Sequence, residues 1–138
     1  MYIGLDLGTS GLKGILIDEK QGVVAEATAP LTVQRPHEGH SEQAPSDWIA
    51  AAEAVMDALA VHGLSGVRGI GLSGHMHGAT VLDAADQVLR PCILWNDTRS
   101  ALEAREMDAD PMFRRISGNI VFPGFSAPKL MWMQRHEP

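Results

Sequence analysis

One cysteine in 138 residues leaves no partner for an internal disulfide, which fits a reducing cytoplasm. Cys92 lies in an apolar run and is expected to be a buried structural thiol rather than a nucleophile. No stretch approaches the roughly 20 consecutive apolar residues of a membrane-spanning helix. Surplus positive charge is missing too. Eleven Lys and Arg against 17 Asp and Glu give a net charge of −6, which argues against a general nucleic-acid or membrane-surface binder. The N-terminus shows no signal-peptide pattern, because a strand carrying Asp6 occupies that place. Internal repeats and low-complexity segments are absent. What is present is ordinary for a soluble globular protein: 45% apolar and 20% charged residues, in a chain long enough for one domain with a core.

The first thirteen residues organise the rest. Ile3, Leu5 and Leu7 alternate with Tyr2, Gly4 and Asp6, which predicts a strand with one apolar face. Gly8-Thr9-Ser10-Gly11 reads as a tight turn, and Leu12 to Asp18 as a second strand. The turn offers backbone N–H groups, two hydroxyls and Lys13, the parts that a phosphate-holding hairpin needs. Asp6, at its mouth, suits a Mg²⁺ ion held through water, because Mg²⁺ keeps most of its hydration shell. The competing reading is a plain hairpin, with Gly8 and Gly11 serving the turn and Asp6 a turn acid. Phosphate binding is the favoured of the two. This is not a Walker loop, since no Gly-Lys-Thr/Ser follows and the next element reads as a strand.

Val23 to Thr28 predicts a third strand, so a β-meander covers 2–28. Pro30 to Gln43 reads as a loop. Its His37 and His40 lack a Cys or acid at fixed spacing and are taken as solvent-exposed, not as metal ligands. Pro45 opens a crossover helix over 45–61, on which Trp48, Ala52, Val55 and Leu59 mark one buried face. Val67 to Leu72 reads as a strand, so the pattern turns to a strand–helix–strand crossover. Ser73 to Gly78 follows the C-terminal end of that strand, where open α/β sheets bind ligands. In this turn His77 is read as a hydrogen-bonding partner for a polar substrate and His75 as an exposed turn residue; no third ligand favours a metal. Ala79 to Leu82 and Val88 to Trp95, broken by Pro91, predict an edge hairpin. The strands and substrate turn thus cover 67–95, and helices cover 97–137. Asn96-Asp97 reads as the cap of a helix over 98–107, with a role for Asp97 in the site held equally open. A short helix at Pro111 to Ile116 ends at Gly118, and Ser126 is expected to cap a last helix carrying Leu130, Trp132 and Met133.

Five blocks now stand in order: Ile3-Gly-Leu-Asp6-Leu-Gly-Thr-Ser10, Ser41-Glu-Gln43 with Trp48, Met76-His77-Gly78, Trp95-Asn-Asp97-Thr-Arg99, and Gly124-Phe-Ser-Ala-Pro-Lys129-Leu-Met-Trp132. Together they resemble the N-terminal part of the FGGY carbohydrate kinases, most of all the bacterial members that act on D-xylulose. The resemblance runs over the whole chain. It implies an α/β fold of the RNase H-like, actin-type ATPase class, a mixed sheet with flanking helices, here as an incomplete N-terminal domain. In that family two lobes enclose ATP and sugar. By resemblance Asp6 helps hold Mg²⁺, Gly8, Thr9, Ser10 and Lys13 approach the ATP phosphates, and Met76 with His77 contact the ketose. The implied cofactors are ATP and Mg²⁺, the implied substrate D-xylulose, and the implied location the cytoplasm, with neither nucleic acid nor membrane as a partner.

The chain departs from the family at two positions and in length. His75 stands where Gln is usual, which leaves ribulose, gluconate or glycerol open as the sugar, and Ala44 stands where many members have Asp. Family members run to about 500 residues, roughly three domains' worth, so this chain covers about the first quarter. The resemblance puts the catalytic aspartate and the adenine-binding elements beyond Pro138, so the piece by itself is expected to be inactive. A further strand of the sheet is also expected from later sequence, which predicts an exposed sheet edge or apolar patch, with self-association as one way of covering it. The alternative of a different class is a non-catalytic binding module of the actin-like fold.

Overall fold

The computed structural model describes residues 1–138. In chain order its elements are β1 (Tyr2–Leu7), β2 (Gly11–Ile17), β3 (Val23–Pro30), β4 (Glu42–Gln43), α1 (Pro45–Ala60), β5 (Ile70–Ser73), β6 (Cys92–Ile93), α2 (Ala101–Ala109), α3 (Pro111–Ser117) and α4 (Ser126–His136). The contacts divide the chain into two compact units: Met1–Val33 with Ala44–His75, and Gln34–Gln43 with Met76–Pro138.

The first unit is a mixed sheet in the order β3-β2-β1-β5 with α1 on one face. β1 pairs antiparallel with β2 from Tyr2 opposite Ile17 to Leu7 opposite Leu12, and parallel with β5 from Ile3 beside Ile70 to Asp6 beside Ser73. A parallel neighbour needs a crossover, and α1 supplies it. β5 begins at Ile70, later than Val67, because residues 64–68 form a turn: Val67 N–H donates to Leu64 O (2.9 Å) and Arg68 N–H to Met1 O (2.9 Å). Ile3, Leu12 and Leu16 meet Ala51, Val55 and Leu59 in the core. The helical residues recur every four, so one stripe of α1 is buried. Each large aliphatic side chain contributes about 1.5–3 kcal/mol by leaving water. The approach is close enough to dictate one residue type. A Cβ on Gly14 would sit 2.3 Å from Val55 Cγ1, so a side chain there has no room. At the other side of the sheet β5 has no neighbour beyond it, and Ile70 and Leu72 are 54% and 80% exposed. The expected bare edge is therefore present.

The second unit joins the two-residue ladder β4–β6 to α2, α3 and α4, with Ala79, Ile93 and Met133 buried together. Here the expected strands shrink. Ala79 to Leu82 and Val88 to Trp95 reduce to bridges, Ala79 with Ile93 and Leu82 with Val88, plus β6, whose partner β4 lies in the stretch read as loop. Two local causes act. Pro91 has no N–H to give a ladder, and the Asp83 carboxylate accepts from Ala85 N–H and Gln87 N–H (2.8 Å each), tying the segment into an Asx-type turn. α2 starts at Ala101, so Asp97 does not cap it. Its buried carboxylate instead accepts the Ser41 N–H (2.6 Å) and the Arg99 guanidinium (2.7 Å), which also reaches Glu42 (2.6 Å) and lies 4.9 Å from the Trp132 ring. The cap reading of Asp97 thereby gives way to a buried ionic tie. Ser126 lies inside α4, and Phe125 holds the capping position without a side-chain bond. Asp110 does cap α3, accepting from Met112 N–H at 2.9 Å. Cys92 is fully buried, and burial pushes its thiol pKa up. No helix is long and apolar enough to cross a membrane.

Candidate phosphate and sugar sites

β1 alternates its side chains, so with Ile3, Leu5 and Leu7 turned to α1, Asp6 stands on the opposite, open face. The register puts Lys13 directly across from Asp6 on β2 and Ser73 directly beside it on β5. All three line a hollow of about 440 Å³ together with Gly4, Leu5, Ile15, Gly71 and Leu72. Lys13 Nζ lies 2.7 Å from the Glu26 carboxylate of β3, with both side chains about half exposed. The adjoining hairpin is closed by Gly8 N–H donating to Gly11 O (2.9 Å), while Ser10 O accepts from Leu31 N–H (3.0 Å). Gly8's N–H is thus engaged within the turn.

His75 follows β5 in the same unit, and here the expectation of an exposed residue needs correction. Its ring is half-buried, 5.6 Å from the Trp48 ring of α1, and its Nε2 is buried without a hydrogen-bond partner. Burial lowers its pKa, and the Asp6 charge opposes that shift. Trp48, one turn into α1, is the cover that the sequence pattern did not disclose.

Met76 and His77 belong to the second unit. Met76 is 60% exposed, and His77 is exposed with a left-handed backbone (φ +59). For a residue other than glycine that conformation is uncommon and persists where surroundings fix it. The His77 ring lies 4.6 Å from the Phe125 ring, and both line a hollow of about 340 Å³ with Phe113, Ser117, Asn119 and the first residues of α4. An imidazole over an apolar floor of Phe113 and Phe125 is chemistry suited to a polyol: ring atoms to hydrogen-bond hydroxyls, and aromatic faces for C–H groups. Lys129, quoted within a sequence block but given no task, is fully buried and donates to His77 O and Gly124 O, each at 2.7 Å.

No set of three or more His, Cys, Asp or Glu side chains gathers into a cage for a metal ion. The donor set in the first hollow is one carboxylate, one ammonium and one hydroxyl beside a glycine-rich wall. That set fits Mg²⁺ arriving with a nucleotide, since such an ion takes one or two protein carboxylates and completes its shell with phosphates and water. It does not fit a tightly held resident metal.

Known proteins share this sequence and fold. The family model described as "FGGY family of carbohydrate kinases, N-terminal domain" matches residues 1–138. The xylulose kinase of Escherichia coli (strain K12) is 55% identical over 140 residues, which take in 100% of this chain and 29% of that protein. That of Bacillus subtilis (strain 168) is 39% identical, over 99% of this chain and 28% of that protein. Among solved structures, the "xyloylose kinase" of Brucella ovis superposes with a TM-score of 0.96 at 62% identity, covering 99% of this chain and 29% of that one. The xylulose kinase of Rhodospirillum rubrum gives 0.91 at 37%, with the same coverage. The chain thus spans less than a third of the length of these relatives. The mixed sheet with its crossover helix is the actin-like ATPase fold, and the chain belongs to the FGGY family of carbohydrate kinases, matching its N-terminal domain.

Proposed function

We propose that this chain is the N-terminal part of an ATP-dependent sugar kinase that transfers the γ-phosphoryl group of ATP to the 5-hydroxyl of D-xylulose. The observation that carries the reading is the placement of Asp6 between Lys13 and Ser73 in one open hollow at the end of β1. Phosphoryl transfer asks little covalent chemistry of a protein; it needs charge neutralised and the acceptor aligned. Lys13 supplies a point charge for the phosphates, and the Gly8–Ser10 turn lets them approach, with Thr9 and Ser10 hydroxyls beside them. Asp6 would hold Mg²⁺ through water, and the ion would supply neutralisation of phosphate charge there. Met76 and His77 take the sugar, with His77 hydrogen-bonding a hydroxyl over the Phe125 ring. The base that accepts the hydroxyl proton is no residue of this chain, so the 138 residues alone do not turn over. The reading also places the enzyme in the cytoplasm.

A second reading keeps the reaction and changes the sugar to ribulose, gluconate or glycerol. His75 favours it, being half-buried with an unpartnered Nε2 in the turn before the sugar residues. ATP-dependent ADP release by the full-length parent across a panel of these sugars separates the two. D-xylulose is expected to give the highest kcat/KM; a higher value for another sugar overturns the first reading.

A further inference from the structure

We propose that Lys129 is a positioning residue for sugar binding: its buried ammonium clamps the His77 carbonyl to the Gly124 carbonyl and so fixes the direction of the His77 imidazole. The inference rests on the reading that His77 faces the sugar. Lys129 rises from α4, is 0% exposed, and places Nζ 2.7 Å from each of the two carbonyl oxygens. Both acceptors are main-chain atoms of segments that wall the same hollow, one at His77 and one next to Phe125.

Three features show that the clamp acts on the turn. His77 holds a left-handed backbone with φ +59, a conformation that needs an external tie, and its carbonyl is tied by Lys129. Gly124 leaves no slack on the other side, since a Cβ there would lie 2.5 Å from Trp95 O and 3.0 Å from the Phe122 ring. The His77 and Phe125 rings, on the two clamped segments, meet at 4.6 Å. A buried cation on neutral carbonyls is also a poor choice for packing alone, because an apolar side chain of similar volume avoids the cost of desolvating charge. That cost is visible: burial lowers the Lys129 pKa to about 8, while Cys92 and Asp97 oppose the shift and Arg99 adds to it.

The test uses the full-length parent enzyme and Lys129→Met, His77→Ala and the double variant. Lys129→Met is expected to lower kcat/KM for D-xylulose roughly ten- to hundredfold, the scale of a displaced substrate-positioning group, with the KM for ATP unchanged. In the His77→Ala background the same substitution is expected to cost nothing further. Equal losses in both backgrounds, or a matching rise in the KM for ATP, overturn the proposal. Should Lys129→Met fail to fold, the wild type still decides: its KM for D-xylulose rises between about pH 7 and about pH 9 as the ammonium is lost, and a flat profile contradicts the clamp. A readout independent of turnover is the His77 backbone and ring resonances of histidine-labelled protein. They shift over the same pH range if Lys129 holds the turn and stay fixed if it does not. A wild-type parent that phosphorylates no D-xylulose sinks the functional reading, and the His77 resonances then judge the clamp alone.

Discussion

Lys13 faces Asp6 directly across the β1–β2 pair, and its ammonium lies 2.7 Å from the carboxylate of Glu26 on β3. Both members of that ion pair are about half exposed, 53% and 51%, so water and salt screen it and it is worth about 0–1 kcal/mol. On the proposed phosphate role of Lys13, so weak a pair would yield the ammonium readily to a phosphate of ATP bound to the full-length parent. Glu26→Gln is expected to move the urea midpoint little and to lower the KM for ATP, while Lys13→Met raises it. A stability loss well above 1 kcal/mol on Glu26→Gln would show the pair to be structural instead.

Gly14 sets how closely α1 lies on the sheet. With a Cβ there at 2.3 Å from Val55 Cγ1 and 3.2 Å from Leu59 Cδ1, Gly14→Ala forces the helix outward. Overpacking of this kind costs roughly 1–3 kcal/mol. Denaturant unfolding should show that loss, and Val55→Ala in the same chain should recover part of it. Additive losses in the double variant would mean that the clash is relieved elsewhere.

Lys129 also leaves a mark on stability. Its folded pKa of about 8 lies below the 10.5 of the free side chain, so from about pH 8 upward the unfolded state binds more protons. Stability contributed at this site accordingly rises with pH across that window, by about 3 kcal/mol in all for a shift of this size. Below pH 8 the penalty is fully present. Comparing unfolding free energies at pH 7 and pH 10 should show a rise in the wild type that Lys129→Met lacks. Equal pH slopes in the two proteins would contradict the burial of a charged amine.

The bare edge at β5 predicts association of the 138-residue piece on its own. Ile70 and Leu72, 54% and 80% exposed beside unpaired backbone groups, invite a second strand. Sedimentation velocity should show mass increasing with concentration, and Leu72→Lys should suppress it. A monomer at every concentration would show the edge to be protected by other means.

How much of this was legible beforehand divides by the physics of each segment. The meander and crossover were readable because Ile3, Leu5 and Leu7 alternate and Val55 and Leu59 recur at helical spacing, so local period and burial agree. Residues 79–95 were not, because the Asp83 turn and Pro91 override the strand preference of Val81, Val88 and Ile93. Asp6 with Lys13 followed from register in a tight hairpin. Glu26 and Ser73 did not, since Glu26 reaches Lys13 only through the β2–β3 pairing and Ser73 reaches Asp6 only through the β1–β5 pairing. Lys129 lies farthest from what a sequence discloses: a lysine on a helix reads as solvated, and only tertiary packing brings two carbonyls to its Nζ.

The central claim, that Asp6 serves the phosphate site of a D-xylulose kinase, is tested most directly by ATP-dependent ADP release from the full-length parent and its Asp6→Asn variant, with D-xylulose present and absent. The account predicts sugar-dependent turnover in the wild type, a loss of roughly a hundredfold or more in kcat on Asp6→Asn by analogy with removal of one preorganised electrostatic group, and unchanged unfolding, because Asp6 is exposed on the open face. An Asp6→Asn enzyme with wild-type kcat would contradict it.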